Sequence, residues 1–293
     1  MCELFGLSSS QALQPRELLS HFGTHGGGVA DNPDGWGLAW IEDESFHVEK
    51  EAQAAVSSNR FRELSARIRT PLVLGHVRKA NPPTALVAAN THPFRHICCG
   101  REWVFAHNGV IPYDALSAAG DATPMCVPSG DTDSEHVFCI VLERIAAAFS
   151  APQAMKDGWW LDALANVVET LSSRGRLNFL MSDGLHLIAY GHDRLCSLAH
   201  PSPACCDGRA SQIAVIASEP LTDEPWSHFN PGELRVYRAG SEVARLITRK
   251  RSQPLERRPD DTDLLSVGLE ERPNCASCPG VMRHNYEAET PEE

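Results

Sequence analysis

Residues 176–191 read RLNFLMSDGLHLIAYG. Two β-prone runs flank a Ser182-Asp183-Gly184 cluster, so the stretch reads as a hairpin with its turn near those three residues. Its position in the chain matters as much as its pattern. Just before it, residues 132–149 fit a long helix: Thr132 with Glu135 three positions on forms a capping-box signal, and Val137, Val141, Leu142 and Ile145 make an apolar face. A second helix fits 158–172. Strand signals then resume in the hairpin and continue through QIAVIASEPL (212–221) and ELRVYRAGSEVARLIT (233–248). A regularly alternating parallel α/β fold would place a helix between successive strands. Strands, then two helices, then strands again suggest two sheets with helices packed outside them.

The first half of the chain has the same character. Residues 2–8 (CELFGLS) read as a strand, and Pro15 can open a helix running to about His21. The segment 23–35 (GTHGGGVADNPDG) reads as a glycine-rich loop. Strands are expected at 36–41 (WGLAWI) and 46–50, a helix at 59–68, and a buried strand at 71–77 (PLVLGHV). The loop RKANPPTAL follows. A further strand, EWVFAH (102–107), is expected to end at Asn108-Gly109, a common tight-turn pair.

The composition bounds the class. The chain has 293 residues, 42% hydrophobic and 22% charged, which is ordinary for a globular protein with a buried core. A net charge of −12 disfavours nucleic acid or an anionic membrane as partner. No secretory signal and no membrane span are visible, and a cytoplasmic location is expected. Ten cysteines include the adjacent pairs Cys98-Cys99 and Cys205-Cys206, which suit a disulfide framework poorly, so most are read as thiols. Residues 1–251 are read as one domain. Residues 252–293 hold ten acidic residues against four arginines, about half the chain's net charge, and are read as an acidic tail without a core. The CASC stretch (275–278) lacks a second pair and is read as an exposed cysteine pair. No HExxH or comparable histidine spacing appears, no GKS or GKT follows the glycines at 26–28, and neither a metal nor a cofactor is expected.

The chemistry gathers around MCELFG (1–6). Once Met1 is removed, Cys2 carries a thiol and a free α-amine on one residue. The amine, with an ordinary pKa of about 7.7–8, can serve as the base that activates the thiol. FAHNG (105–109) offers the Asn108 amide and the Gly109 backbone N–H as a donor pair for an oxyanion. GHVRKA (75–80) puts Arg78 at a strand end, where a guanidinium can hold a carboxylate through two hydrogen bonds. GDTDSE (130–135) puts Asp133 in a first helical turn, where it can meet an ammonium or simply favour the helix dipole. Taken singly, each of these has an ordinary structural explanation. Together they supply a nucleophile with its own base, an oxyanion pair, a cation and an anion.

In order, MCELFG, DGWGLAW, GHVRKAN, NTHPF, FAHNG, GDTDSE and ASEPL resemble the motifs of the class II (N-terminal nucleophile) glutamine amidotransferases, and among them the YafJ-like branch. The resemblance implies an α+β fold, the four-layer αββα sandwich of N-terminal nucleophile hydrolases. It implies Cys2 as nucleophile, Asn108 with Gly109 as oxyanion hole, Arg78 for the substrate α-carboxylate and Asp133 for its α-ammonium. His92 of NTHPF would support the substrate site, and the loop with Pro82 and Pro83 resembles a segment that closes over glutamine. The implied reaction is hydrolysis of L-glutamine to L-glutamate and ammonia through a Cys2 thioester. With no synthase-like segment after residue 250, the ammonia would pass to a separate synthase partner. Two other readings stand beside it: an amidase for another γ-glutamyl compound, and a non-catalytic scaffold that binds glutamine. Two features depart from the family's usual picture: Lys79-Ala80-Asn81-Pro82-Pro83 stands where the sugar-phosphate branch has Trp-Ala-Thr-His, and an insertion-like THGGGVADNP precedes DGWG.

Overall fold

In a computed structural model the described residues are 1–117, 126–149, 160–202 and 211–248. The sequence expected for the acidic tail, with Cys275 and Cys278, lies outside them, as do Cys205 and Cys206. Strands β1 (Glu3–Leu13), β2 (Gly35–Glu42), β3 (Ser45–Glu51) and β4 (Thr70–Arg78) precede β5 (Phe94–Cys98) and β6 (Arg101–Val110). After the helices come β7 (Arg176–Ser182), β8 (His186–Gly191), β9 (Cys196–Ser202), β10 (Ser211–Ala217), β11 (Ser227–His228), β12 (Glu233–Arg238) and β13 (Ser241–Ile247). The helices are α1 (Arg16–Thr24), α2 (Asn59–Arg67), α3 (Tyr113–Ser117), α4 (Asp133–Phe149) and α5 (Leu161–Ser172).

The strands form a seven-stranded sheet, β11-β9-β10-β1-β4-β2-β3, and a six-stranded sheet, β13-β12-β8-β7-β6-β5. Neighbouring strands are antiparallel throughout. The central strands are apolar on both faces, because both of their faces are covered. On β1, Phe5 and Leu7 face outward to Leu19 and Phe22 of α1 and Phe61 and Leu64 of α2. Leu4 faces inward to a layer with Leu72, Leu74, Val104, Ala106, Leu180 and Leu187 drawn from both sheets. Trp103, Phe105 and Phe179 of the second sheet face outward to Val137, Phe138 and Leu142 of α4 and Leu164 and Val168 of α5. Three buried apolar layers therefore separate four layers of secondary structure, the αββα arrangement expected from the resemblance.

Local chemistry sets the boundaries. Ser58 caps α2 by accepting from the Phe61 N–H at 2.9 Å, and Thr132 caps α4 by accepting from the Glu135 N–H at 3.2 Å. The other half of the expected capping box is redirected: the Glu135 carboxylate accepts from the Gly130 N–H at 2.9 Å. The FAHNG segment differs from expectation as well. The strand does not end in a turn at Asn108-Gly109 but runs on through Val110, paired with β7 as Asn108↔Asn178 and Gly109↔Leu177. A Cβ on Gly109 would lie 1.8 Å from the Arg176 carbonyl oxygen. Glycine is present because the neighbouring backbone comes close, not because the chain turns. Among the described cysteines, Cys126 and Cys139 form a disulfide; Cys2, Cys98, Cys99 and Cys196 are thiols. No helix among the described residues is long and apolar enough to cross a membrane.

Candidate active site

The alternation that buries Leu4, Leu72, Leu74 and Ala106 between the sheets also points Cys2, His76, Arg78 and Asn108 into the same inter-sheet space, nearer its end. On the β1–β4 ladder Glu3 pairs with Val77, so Cys2 comes opposite Arg78 one step further. The Cys2 carbonyl accepts a hydrogen bond from the Asn108 side-chain amide, across from one sheet to the other. The Cys2 sulfur accepts from the Lys79 N–H at 3.2 Å and lies 3.3 Å from the Lys79 carbonyl oxygen. Burial pushes the Cys2 thiol pKa up; the Lys79 N–H, the chain's α-amine and Arg78 pull it back. In this chain the amine belongs to Met1, whose sulfur lies against the Arg176 guanidinium.

Arg78 is only 3% exposed. Desolvation lowers its pKa, while Cys2 and Asp34 raise it. Its guanidinium reaches the Ala85 carbonyl oxygen at 3.4 and 3.5 Å, long for hydrogen bonds, and among the described residues no carboxylate is within ion-pairing distance. A buried cation so weakly partnered suits an incoming carboxylate. Asp133 begins α4. Its carboxylate accepts from the Ile111 N–H at 2.8 Å, just past β6, and from the Ser134 hydroxyl at 3.3 Å. Cys2 and Asn108 are thus in contact, Arg78 is beside them, and Asp133 is tied to the chain immediately beyond the Asn108-Gly109 strand.

His92 lies deeper. Its ring packs against His76 in a tilted arrangement at 4.2 Å and meets Phe94 edge-on at 4.6 Å, and neither ring nitrogen has a hydrogen-bond partner among the described residues. Burial, with His76, His107, Lys50 and Arg78 around it, holds its pKa well below the ordinary value. The His92 segment packs so tightly on β2 that a Cβ on Gly37 would meet the His92 carbonyl oxygen at 2.0 Å, which accounts for glycine in DGWG.

Several supporting residues escaped the sequence reading. Asn178, fully buried on β7, donates to the Asn108 carbonyl at 3.1 Å and to Asp193 at 2.9 Å, and its own oxygen accepts from the N–H groups of His192, Asp193 and Arg194. Asn90 donates to the Ala85 carbonyl at 3.2 Å and accepts from the Asp131 N–H at 2.7 Å, joining the loop over Arg78 to the loop before Asp133. His107 faces α4, with its Nδ1 2.9 Å from the Ser134 hydroxyl. The available signal was an asparagine at an inward position of an apolar strand, RLNFLMS. A buried amide there must find partners.

A thiol at the head of a strand, an amide from the facing sheet and a buried guanidinium, set in an antiparallel αββα sandwich, define the N-terminal nucleophile class of amide-processing folds. The chain belongs to the class II glutamine amidotransferases, whose family model matches residues 1–206 and 204–261. It is 28% identical over 260 residues to YafJ of Escherichia coli (strain K12), a candidate glutamine amidotransferase, covering 83% of this chain and all of that one. It is 26% identical over 196 residues to the γ-glutamyl-hercynylcysteine sulfoxide hydrolase of Mycobacterium tuberculosis (strain CDC 1551 / Oshkosh), covering 66% of this chain and 70% of the other. Among solved structures, a predicted glutamine amidotransferase from Pseudomonas aeruginosa PA01 superimposes with a TM-score of 0.59 at 29% identity, covering 83% of this chain and all of that one. The glutamine phosphoribosylpyrophosphate amidotransferase of B. subtilis shares the fold, with a TM-score of 0.59 at 17% identity; the match covers 85% of this chain and 49% of that one.

Proposed function

We propose that the protein hydrolyses L-glutamine to L-glutamate and ammonia, with Cys2 as nucleophile once Met1 has been removed. The observation that supports this most is the meeting of Cys2 with the Asn108 amide, with Arg78 buried beside them. In this reading the freed α-amine takes the thiol proton, and the sulfur attacks the side-chain amide carbon of glutamine. The Asn108 amide and the Gly109 N–H receive the oxyanion. Arg78 holds the α-carboxylate, Asp133 the α-ammonium, and the buried His92 supports the site from behind. The tetrahedral intermediate collapses, ammonia leaves with the proton held by the amine, and water cleaves the γ-glutamyl thioester. Ammonia would then pass to a separate synthase.

A second reading is favoured by one observation. The mycobacterial relative is named for hydrolysis of a γ-glutamyl compound other than glutamine. Arg78 and Asp133 would serve either substrate, because both grip the shared glutamyl head. Intact-mass measurement of the purified protein is expected to show Met1 absent. A glutamate-release assay on glutamine and a panel of γ-glutamyl amides then ranks the readings. Release no greater than that of Cys2→Ala, on every substrate, would leave only the non-catalytic scaffold.

A further inference from the structure

Strand β5 presents side chains that this reaction does not use. Phe94, His96 and Cys98 share one face; Phe94 and Cys98 are buried and His96 half-buried, while Arg95 and Ile97 are exposed. That face looks onto α4. The His96 ring packs 5.5 Å from Phe138, its Nε2 lies 3.6 Å from the Glu135 carboxylate, and the Cys98 sulfur lies 3.6 Å from the Leu142 carbonyl oxygen. Cys139 lies on α4 between Glu135 and Leu142, one helical turn from each, and is buried. Cys126 joins it from the segment before the helix. Donor atoms of His96, Cys126 and Cys139 all lie within 4.8 Å of one another.

We propose that His96, Cys126 and Cys139, with Cys98 as a fourth donor, form a binding site for a thiophilic divalent ion such as zinc, open to the ion when the Cys126–Cys139 bond is reduced. One imidazole and three thiolates are a donor set that selects such an ion over magnesium or calcium. A zinc–sulfur distance of about 2.3 Å spaces tetrahedral donors roughly 3.5–4 Å apart. The donors of His96, Cys126 and Cys139 already lie within 4.8 Å of one another, so the ligands need close in only slightly once the two bonded sulfurs separate. The His96 Nε2 is buried and, among the described residues, lacks a hydrogen-bond partner, since 3.6 Å to Glu135 is too long for one. With Nδ1 as the ligand to the ion, the Nε2–H would close on the Glu135 carboxylate, which the Gly130 N–H holds, and so orient the ring. Cys98, now 2.8 Å from the Cys99 sulfur, shares the strand face of His96 and would turn toward the ion.

The chemistry balances with a dithiol reductant. It gives two electrons and two protons to the disulfide, becoming a disulfide itself and leaving Cys126 and Cys139 as thiols. Binding of the ion then releases the protons of three thiols to solvent. Disulfide and metal are alternative ties between the segment at Cys126 and α4, the helix that begins with Asp133.

The test uses the full chain with Cys2→Ser, Cys275→Ser and Cys278→Ser, which removes the N-terminal thiol and the tail pair. After reduction with a phosphine and removal of oxygen, the protein is titrated with cobalt(II) and the thiolate-to-cobalt absorption band followed. One equivalent is expected to bind, zinc is expected to displace it, and the unreduced protein is expected to show no band. Adding His96→Ala or Cys139→Ser is expected to weaken cobalt binding at least about tenfold. If Cys139→Ser fails to fold by far-UV circular dichroism, His96→Ala, at a half-buried position, decides. The proposal is overturned if the reduced protein binds no cobalt, if His96→Ala titrates like its parent, or if alkylation and mass spectrometry show that the disulfide resists reduction.

Discussion

The space between the two sheets has two ends built on one alternation but filled with opposite chemistry. Along β4 the inward residues run Leu72, Leu74, His76, Arg78; along β6 they run Val104, Ala106, Asn108. At one end, apolar side chains from both sheets interlock, and packing is the whole of their contribution. At the other, the same backbone register delivers a thiol, a guanidinium and an amide to one place. The packed end fixes the spacing of the sheets, and that spacing determines whether the Asn108 amide reaches Cys2. If the division is real, changes at the polar end should cost activity with little loss of stability, and changes at the apolar end the reverse.

The largest separation is expected for Cys2→Ala. Without the proposed nucleophile, glutamate release should fall by roughly a thousandfold or more, while the thermal midpoint should stay within a few degrees, since one small side chain at a strand end is lost. A large drop in melting temperature would mean that Cys2 belongs to the packed end after all. The opposite pattern is expected for Leu180→Ala. Leu180 is fully buried between the sheets, and its truncation should cost about 2–5 kcal/mol in urea unfolding, leaving kcat of the folded fraction close to the parent value. A fall in kcat comparable to that of the site variants would break the comparison.

Between these extremes stands Asn108→Ala. If Asn108 is an oxyanion donor as proposed, its loss is expected to lower kcat by about 10²–10³, or roughly 2.7–4 kcal/mol of transition-state stabilisation. KM should change little, because the amide meets charge that develops only during attack. Arg78→Lys sharpens the distinction. A lysine keeps the positive charge but cannot hold a carboxylate through two parallel hydrogen bonds, so KM should rise about tenfold with a smaller change in kcat. Equal effects on both parameters would mean that Arg78 positions Cys2 rather than the substrate.

Much of this architecture could be read from the sequence because burial on two faces leaves long apolar runs. PLVLGHV and RLNFLMS could hardly be anything but covered strands, and Thr132 marked the start of α4 to the residue. β5 was missed. FRHIC, at a sheet edge, shows only five residues with two exposed, and its apolar content does not stand out. The fate of Asn108-Gly109 was unreadable for a different reason. The same dipeptide serves a turn or a strand, and the approach of the Arg176 carbonyl, 67 residues away, decides which. The residues proposed for the site come from ordered motifs. Asn178 and Asn90 could not be read in this way, since each acts through backbone groups distant in sequence. The partners of Asn178 are assembled only when β7 lies beside β6 and β8, and those of Asn90 only when its loop meets the one before Asp133.

The smallest effect concerns the histidine that sits at the boundary between the two ends. His76 is fully buried on β4, with Nε2 3.2 Å from the His107 carbonyl oxygen and Nδ1 without a partner among the described residues. Burial pushes its pKa down to about 3, and nearby Arg78 adds to the shift. In the unfolded chain the ring titrates near its ordinary value of about 6.5. Between those values the unfolded state binds a proton that the folded state refuses. The contribution of His76 to stability is therefore complete above about pH 6.5 and is lost as the pH falls toward 3. The slope while it is lost is about 1.4 kcal/mol per pH unit. His92 and His107, also held neutral by burial, should add slopes of the same sign. In His76→Gln an amide N–H can still face the His107 carbonyl, but nothing titrates. Unfolding free energies from urea titrations at pH 7, 6 and 5 should fall less steeply in this variant than in the parent, by up to that slope. Parallel curves would mean that the ring takes up a proton in the folded state, and the polar end of the inter-sheet space would then be wetter than its packing implies.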